Sequence, residues 1–205
     1  GYRPFYISHL GRHGARFALG STVYAALWNV WETGHEKGLL TPEGEAIYAA
    51  YARFYPEVRQ REGNLTLKGQ EQHRYIAAQM FRRYPAVFKG HTRADAVSTG
   101  VHRVIVSMYS CLDELYSRDK AFCFTADYGY PYQAYLLPSV IDAPNAWPEA
   151  VSAKFNALVE EVVRPKELLQ KWFTVPDSLI SRPYKFCVDL HTVVSTLDNL
   201  NVPVP

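Results

Sequence analysis

The chain has 205 residues, of which 48% are hydrophobic and 20% are charged, a composition typical of folded globular proteins. Its formal net charge of +2 and the scattered positions of its basic residues argue against a nucleic-acid partner. No apolar run reaches the length of about 18 residues that a transmembrane helix needs, so no membrane partner is expected. Cys111, Cys123 and Cys187 lie far apart and outside any CxxC pair, which favours buried thiols over a disulfide framework or a metal site.

The first predicted element is a buried strand over residues 6–10, where apolar residues alternate along the chain. The strand ends in a loop that contains Arg12, His13, Gly14 and Arg16. Strand ends of this kind are where open α/β sheets bind ligands. Guanidinium groups bind phosphate or carboxylate through paired hydrogen bonds, and an imidazole between them can act as nucleophile or base. The loop is a candidate catalytic anion site; the plainer alternative is a basic loop paired with nearby carboxylates.

Apolar residues at helical spacing predict helices over residues 22–37, from residue 42 onwards, and from 67 to about 84. Thr41 followed by a proline is a strong start signal for the second helix, and Thr66 is the predicted cap of the third. Gly69 is a poor helix former. Its place in the first turn of the third helix therefore predicts close backbone packing at that point.

A second strand is predicted over residues 94–99, followed by a long helix with Arg103 in its first turn. The amino terminus of a helix attracts anions through its free N–H groups and its dipole, so Arg103 adds a third guanidinium to the same kind of site. A solvated arginine is the plainer alternative. His102, next to it, is expected to be structural or to lie at the rim.

A further strand is predicted over residues 121–126, and residues 127–148 are predicted to be irregular. Helical patterns fill the rest of the chain after Pro148. The first part of the chain therefore alternates helices and strands, whereas the last part is almost all helix. This order predicts an α/β core with the catalytic loop over residues 1–126 and a mainly α-helical cap over residues 127–205.

The loop sequence Arg12–Arg16, which reads Arg-His-Gly-Ala-Arg, resembles the signature of the histidine phosphatases, in particular their acid phosphatase and phytase branch. Two later blocks resemble the same family. One is Leu65–His73, which contains the pattern Leu-Thr-x-x-Gly followed by Gln-His, and the other is Ser98–Ser107, which contains Arg103. The blocks and their spacing are most similar to those of the multiple inositol polyphosphate phosphatases. The resemblance covers nearly all of this chain but only the amino-terminal half of a family member.

The resemblance implies that His13 is the nucleophile and forms a phosphohistidine, and that Arg12, Arg16 and Arg103 bind the phosphate. It implies no metal and no other cofactor. The implied fold is a phosphoglycerate mutase-like sheet core with helices and a mainly helical cap, with the core incomplete in this chain. The implied substrate is a phosphorylated small molecule, inositol hexakisphosphate or a relative, and the expected location is secreted or periplasmic.

Members of the acid phosphatase branch carry a later His-Asp or His-Ala-Glu block whose acidic residue protonates the leaving group, and the sequence contains neither block. A missing general acid costs a factor of about 10²–10⁴ in rate. We therefore expect this chain alone to have little or no activity and to need the carboxy-terminal half of the same protein as its partner. Two alternatives stay open: a phosphoglycerate mutase-type phosphatase or mutase, and a non-catalytic module that binds inositol phosphates.

Overall fold

The computed structural model describes residues 3–20, 22–90, 92–137 and 149–200. The contacts between residues divide the chain into two compact units. The sheet unit lies within residues 1–17, 63–143 and 199–201, and the aromatic unit lies within residues 18–62, 144–198 and 202–205. Each unit contains segments from both sides of residue 127. The two units therefore do not correspond to the predicted domains 1–126 and 127–205, and that domain division stays a prediction.

The described part of the chain is of the α/β class. Its elements follow in the order α1 (Val23–Glu36), α2 (Pro42–Val58), α3 (Leu67–Arg83), β1 (Arg93–Ser98), α4 (His102–Arg118), β2 (Cys123–Tyr128), α5 (Tyr130–Leu136), α6 (Glu149–Val162), α7 (Pro165–Leu169) and α8 (Pro183–Val194). Short 3-10 turns lie at Pro176–Ser178 and Leu197–Asn199. The helix α5 falls in the stretch predicted to be irregular, and residues 138–148 of that stretch lie outside the described residues. None of the helices in the described ranges has the length and apolar character that crossing a membrane requires.

The predicted strand over residues 6–10 is wrong. Residues 3–10 form no strand, and the side chains of Phe5, Tyr6 and Leu10 are 91%, 72% and 85% exposed. An alternating apolar pattern becomes a strand only where a neighbouring strand satisfies its backbone N–H and C=O groups. In the part of the chain that the structure describes, the sheet consists of β1 and β2, and neither of them pairs with residues 3–10.

The sheet unit is built on a parallel β1–α4–β2 crossover. The register places Arg93 opposite Cys123 and Ser98 opposite Tyr128, and α4 forms the crossover connection that parallel strands need. Helix α3 packs against α4. The buried core of the unit contains Ala77, Leu112, Leu115 and Phe122. Alternate residues of the two strands, among them Ala94, Ala96, Phe124 and Ala126, pack against this core.

The aromatic unit has a different kind of core, made of large rings on α1, α8 and the segment after α7. Trp31 is fully buried, and its ring stacks on Phe173 with centroids 4.7 Å apart. Phe186 of α8 contacts both of these rings. The carbonyl oxygen of Trp172 accepts the backbone N–H of Thr41 at 2.9 Å. This unit therefore joins the segment after α7 to the start of α2 as well as to α1.

The predicted helix starts at Thr41 and Thr66 are confirmed. The hydroxyl of Thr41 accepts the N–H of Gly44 at 3.1 Å, and that of Thr66 accepts the N–H of Gly69 at 3.0 Å. Each hydroxyl satisfies one of the four N–H groups that the first turn of a helix leaves unpaired. The Thr66 cap fixes where α3 begins, and that point lies against the predicted catalytic loop.

Candidate functional site

Residues 14–17 of the predicted catalytic loop are held against the start of α3 by backbone and side-chain hydrogen bonds. Thr66 donates its backbone N–H and its hydroxyl to the carbonyl oxygen of Ala15, each over 2.9 Å. The side-chain oxygen of Gln72 accepts the N–H of Ala15 at 2.8 Å. The N–H of Phe17 is donated to the carbonyl oxygen of Asn64 at 2.9 Å. Both backbone polar groups of Ala15 are thus paired with residues at the start of α3, which fixes the loop there.

Two glycines allow the loop to approach the helix closely. A Cβ atom on Gly14 would lie 2.3 Å from the carbonyl oxygen of Gly69, and a Cβ on Gly69 would lie 2.2 Å from that of Ala15. Both distances are far below van der Waals contact, so a side chain at either position would push the loop away. The close backbone packing predicted at Gly69 is confirmed.

Two buried polar side chains hold the loop from α3 and α4. His73 of α3 is 5% exposed, and its Nε2 lies 3.1 Å from the carbonyl oxygen of Arg12. A carbonyl oxygen only accepts, so His73 carries its proton on Nε2. Ser107 of α4 is 2% exposed; its hydroxyl accepts the N–H of Gly14 at 3.2 Å and donates to the carbonyl oxygen of Arg103 at 2.8 Å.

The imidazole of His13 is presented in the tautomer that a nucleophile needs. Its Nδ1 lies 2.8 Å from the carbonyl oxygen of Gly14, so Nδ1 donates and the Nε2 of the neutral ring keeps its lone pair. Burial lowers the pKa of His13, and the positive charges of Arg103, Arg16 and Arg12 lower it further, in that order, against the raising effect of the hydrogen bond to Gly14. His13 is therefore neutral near pH 7 and can attack an electrophile through Nε2.

All three predicted arginines lie close enough to His13 for their positive charges to lower its pKa. Arg103 is the second residue of α4, and its Nε is buried without a hydrogen-bond partner among the described residues. Arg16 is half-buried, with one guanidinium nitrogen donating to the carbonyl oxygen of Phe17 at 3.0 Å. Arg12 is exposed.

The plainer explanation for these arginines was pairing with nearby carboxylates or solvation. Within the described ranges, Arg12 and Arg103 form no ion pair with an aspartate or glutamate. A buried guanidinium nitrogen without an acceptor is costly, and a bound oxyanion would supply that acceptor. The start of α4 also favours a bound anion, because the side chain of its N-cap residue, Val101, does not pair with the first-turn N–H groups.

The arrangement can therefore bind a multiply charged oxyanion beside a neutral nucleophilic nitrogen. Among the described residues, no group of three or more histidine, cysteine, aspartate or glutamate side chains is placed to hold a metal ion. His102, expected to be structural or to lie at the rim, is exposed.

Sequence reasoning did not assign roles to three residues that hold the loop, Gln72, His73 and Ser107. All three fall in the two later blocks that resemble the histidine phosphatases. The available signal was the place of all three residues within those two blocks. The partners of these three side chains lie 57 to 93 positions away in the sequence, and no local pattern specifies such distant contacts.

Two crystal structures of the multiple inositol polyphosphate phosphatase of Bifidobacterium longum are similar to this chain. The complex with inositol hexasulfate is 24% identical to it with a TM-score of 0.44, and the complex with phosphate is 25% identical with a TM-score of 0.45. Each similarity covers 54% of this chain and 23% of the phosphatase chain. No protein-family model matches the chain, and no curated relative matches it either.

These phosphatases belong to the group that the three sequence blocks resemble. The region of similarity spans less than a quarter of their length, 23%, so their ligands are properties of those proteins alone. What this chain binds has to be judged from its own residues.

Proposed function

We propose that this chain carries the phosphate-binding and nucleophilic groups of a phosphomonoester hydrolase of the histidine phosphatase type. The observation that supports this most strongly is the convergence on one neutral imidazole of arginines from two distant parts of the sequence. Arg12 and Arg16 flank His13 on the loop, whereas Arg103 comes from α4, and the Ser107 hydroxyl hydrogen-bonds both to Gly14 of the loop and to the carbonyl oxygen of Arg103. The positive charges of all three arginines depress the pKa of His13. Positive charge placed in advance around a nucleophile is what phosphoryl transfer requires.

The proposed reaction has two steps. In the first, Nε2 of His13 attacks phosphorus in line, the bond from phosphorus to the ester oxygen breaks, and the alcohol leaves as the ring becomes phosphorylated. The guanidinium groups of Arg12, Arg16 and Arg103 bind the phosphoryl oxygens throughout. In the second step, water attacks phosphorus, the P–N bond breaks, and neutral His13 and inorganic phosphate are released with one proton.

The departing alcohol needs a proton, because an alkoxide is a poor leaving group. The sequence blocks of this chain do not include the acidic residue that supplies that proton in the family. We propose that it comes from the carboxy-terminal half of the same protein. The two-stranded sheet unit would then be one part of a phosphoglycerate mutase-like core.

Inositol polyphosphates such as phytate are the proposed substrates. The proposed location of the protein is secreted or periplasmic. The site is formed by arginines, and a multiply phosphorylated small molecule would profit from such a concentration of positive charge. The resemblance of the three sequence blocks to multiple inositol polyphosphate phosphatases supports this choice of substrate. No cofactor is included in the proposal.

An ester with a good leaving group tests the nucleophile without depending on the general acid. We expect p-nitrophenyl phosphate to phosphorylate His13 in the full chain, because p-nitrophenolate leaves without prior protonation. The adduct is sought by mass spectrometry after quenching in alkali, where phosphohistidine survives. His13→Ala should abolish the adduct and p-nitrophenolate release, while His102→Ala, a change at an exposed neighbouring histidine, should leave both intact.

Two results would contradict the proposal. One is an adduct or product release that persists in His13→Ala. The other is tight phosphate binding by the full chain with no adduct at any residue, which is the behaviour of a non-catalytic phosphate-binding module.

A further inference from the structure

Ser107 occupies a particular place between the two parts of the site. Its hydroxyl accepts the N–H of Gly14 in the nucleophile loop and donates to the carbonyl oxygen of Arg103 in the first turn of α4. The side chain is 2% exposed, so water does not compete for these hydrogen bonds. One hydroxyl therefore joins the backbone beside the nucleophile to the backbone of the third arginine.

The effect of this hydroxyl extends to the imidazole itself. Gly14 uses its N–H for Ser107 and its carbonyl oxygen for Nδ1 of His13. Because both polar groups of Gly14 belong to this chain of hydrogen bonds, the orientation of the imidazole depends on how Gly14 is held. Gln72 of α3 holds the peptide group that contains this carbonyl oxygen by accepting the N–H of Ala15, and Ser107 of α4 holds the preceding peptide group through the N–H of Gly14. Ser107 therefore contributes to the direction of the imidazole from outside the loop.

Ser110, also on α4, is a close match to Ser107 but does not have the hydrogen bond from Gly14. Ser110 is also buried, at 4% exposure, and its hydroxyl also donates to the carbonyl oxygen four residues earlier, that of Val106, at 2.8 Å. Ser107 donates to the equivalent oxygen at the same distance of 2.8 Å. The two serines thus share residue type, helix, burial and back-bonding within the helix. The hydrogen bond from Gly14 distinguishes Ser107.

We propose that Ser107 is a positioning residue that couples the nucleophile loop to Arg103, so that His13 and Arg103 face the same phosphate. The hydroxyl touches neither the substrate nor the reacting atoms; it acts through Gly14 and through the first turn of α4. The proposal rests on the proposed function in taking phosphate as the ligand. The coupling between Ser107 and His13 itself does not depend on that function.

The test compares Ser107→Ala with Ser110→Ala in the full chain, by two measurements. One is the affinity for inorganic phosphate, determined by calorimetric titration. The other is the pH titration of the His13 imidazole by NMR, with its signals assigned through their loss in His13→Asn. Ser107→Cys, which fills the space with a weak acceptor, serves as a second variant that keeps the comparison possible if Ser107→Ala folds poorly.

In Ser107→Ala we expect the affinity for phosphate to fall by about threefold to tenfold, the effect of one lost hydrogen bond. We also expect the pKa of His13 to rise, because the freed loop relaxes away from the Arg103 charge and towards solvent. Ser110→Ala should change neither quantity, and Ser107→Cys should give intermediate values. Equal phosphate affinity and equal His13 titration in the Ser107 and Ser110 variants would overturn the proposal.

The two measurements also separate this proposal from the proposed function. If the unmodified chain does not bind phosphate, the phosphatase proposal fails. A His13 titration that still differs between Ser107→Ala and Ser110→Ala would then support the coupling by itself, and an unchanged titration would overturn it as well.

Discussion

The sheet unit and the aromatic unit bury different kinds of side chain. In the described residues, the buried polar side chains Thr66, His73, Ser98, Thr99, Ser107 and Ser110 all belong to the sheet unit. The largest fully buried side chains, Trp31 and Tyr24, belong to the aromatic unit. Burial of a polar group contributes little net stability even when it is paired, whereas burial of a large ring contributes several kcal/mol.

This contrast indicates a division of roles. The aromatic unit gains stability from its ring cluster, whereas the sheet unit uses buried polar groups to fix the backbone at His13 and Arg103. A buried hydrogen bond is strongly directional, which apolar packing is not. Substitutions in the aromatic unit should therefore change stability, and those in the sheet unit should change binding.

The largest expected effect is on stability and comes from the aromatic unit. Trp31→Ala should lower the free energy of unfolding by about 3–5 kcal/mol, because it removes a fully buried ring that stacks on Phe173. Chemical denaturation measures this. The matched control is Trp28→Ala, since Trp28 is only partly buried in its stack with Tyr55 and should cost less. Equal losses in the two variants would contradict the importance given to the Trp31 cluster.

The next effect is on binding and comes from the third arginine. Arg103→Ala should weaken phosphate affinity by about 10-fold to 150-fold, the effect of one charge-assisted hydrogen bond of about 1.5–3 kcal/mol. The control on the same helix is Arg118→Ala, which removes an exposed arginine paired with Glu114. Calorimetric titration with phosphate checks both variants. Similar affinity in the two would show that Arg103 does not bind the anion.

A substitution that moves the loop should also act on binding. Gly14→Ala places a Cβ 2.3 Å from a backbone oxygen of Gly69, so the loop has to shift, at a cost of about 1–3 kcal/mol. We expect weaker phosphate binding together with a rise in the pKa of His13. Gly100→Ala, whose Cβ would meet its nearest neighbour at 3.5 Å, is the control and should leave both unchanged. Wild-type binding in Gly14→Ala would mean that the close packing of the glycines is dispensable.

The smallest expected effect is a pH dependence of stability. Burial lowers the pKa of His73 below its ordinary value, so at mildly acidic pH the unfolded chain takes up a proton that the folded chain does not. The free energy of unfolding should therefore fall as the pH drops through the ordinary histidine pKa. His73→Asn should reduce this dependence, whereas His102→Asn, at an exposed position, should leave it unchanged. Denaturation curves between about pH 7.5 and 5.5, which span about one unit on either side of that pKa, decide this.

The features predicted correctly from the sequence are those set by near neighbours. Thr41 and Thr66 cap helices because a hydroxyl pairs with an N–H three residues later. The first-turn position of Arg103 follows from the end of a strand and the start of an apolar helical stripe. Arg12 and Arg16 lie within three residues of His13 in the sequence, so their presence on the same loop needs no information about the fold.

The features that the sequence did not reveal depend on distant partners. Residues 6–10 have the pattern of a strand, but whether they form one depends on a neighbouring strand, and none pairs with them in the described part of the chain. The role of Ser107 depends on a hydrogen bond to Gly14, 93 positions away. A serine on the inner face of a helix has the same local pattern whether or not it meets such a partner, as Ser110 shows.

The central claim is that Arg12, Arg16 and Arg103 hold one phosphate against the imidazole of His13. The most direct measurement is the NMR titration of His13 with and without saturating inorganic phosphate, in the unmodified chain and in Arg103→Ala. A bound dianion stabilises the imidazolium, so phosphate should raise the pKa of His13 in the unmodified chain and have a much smaller effect in the variant. A His13 titration that phosphate leaves unchanged in the unmodified chain would contradict the account.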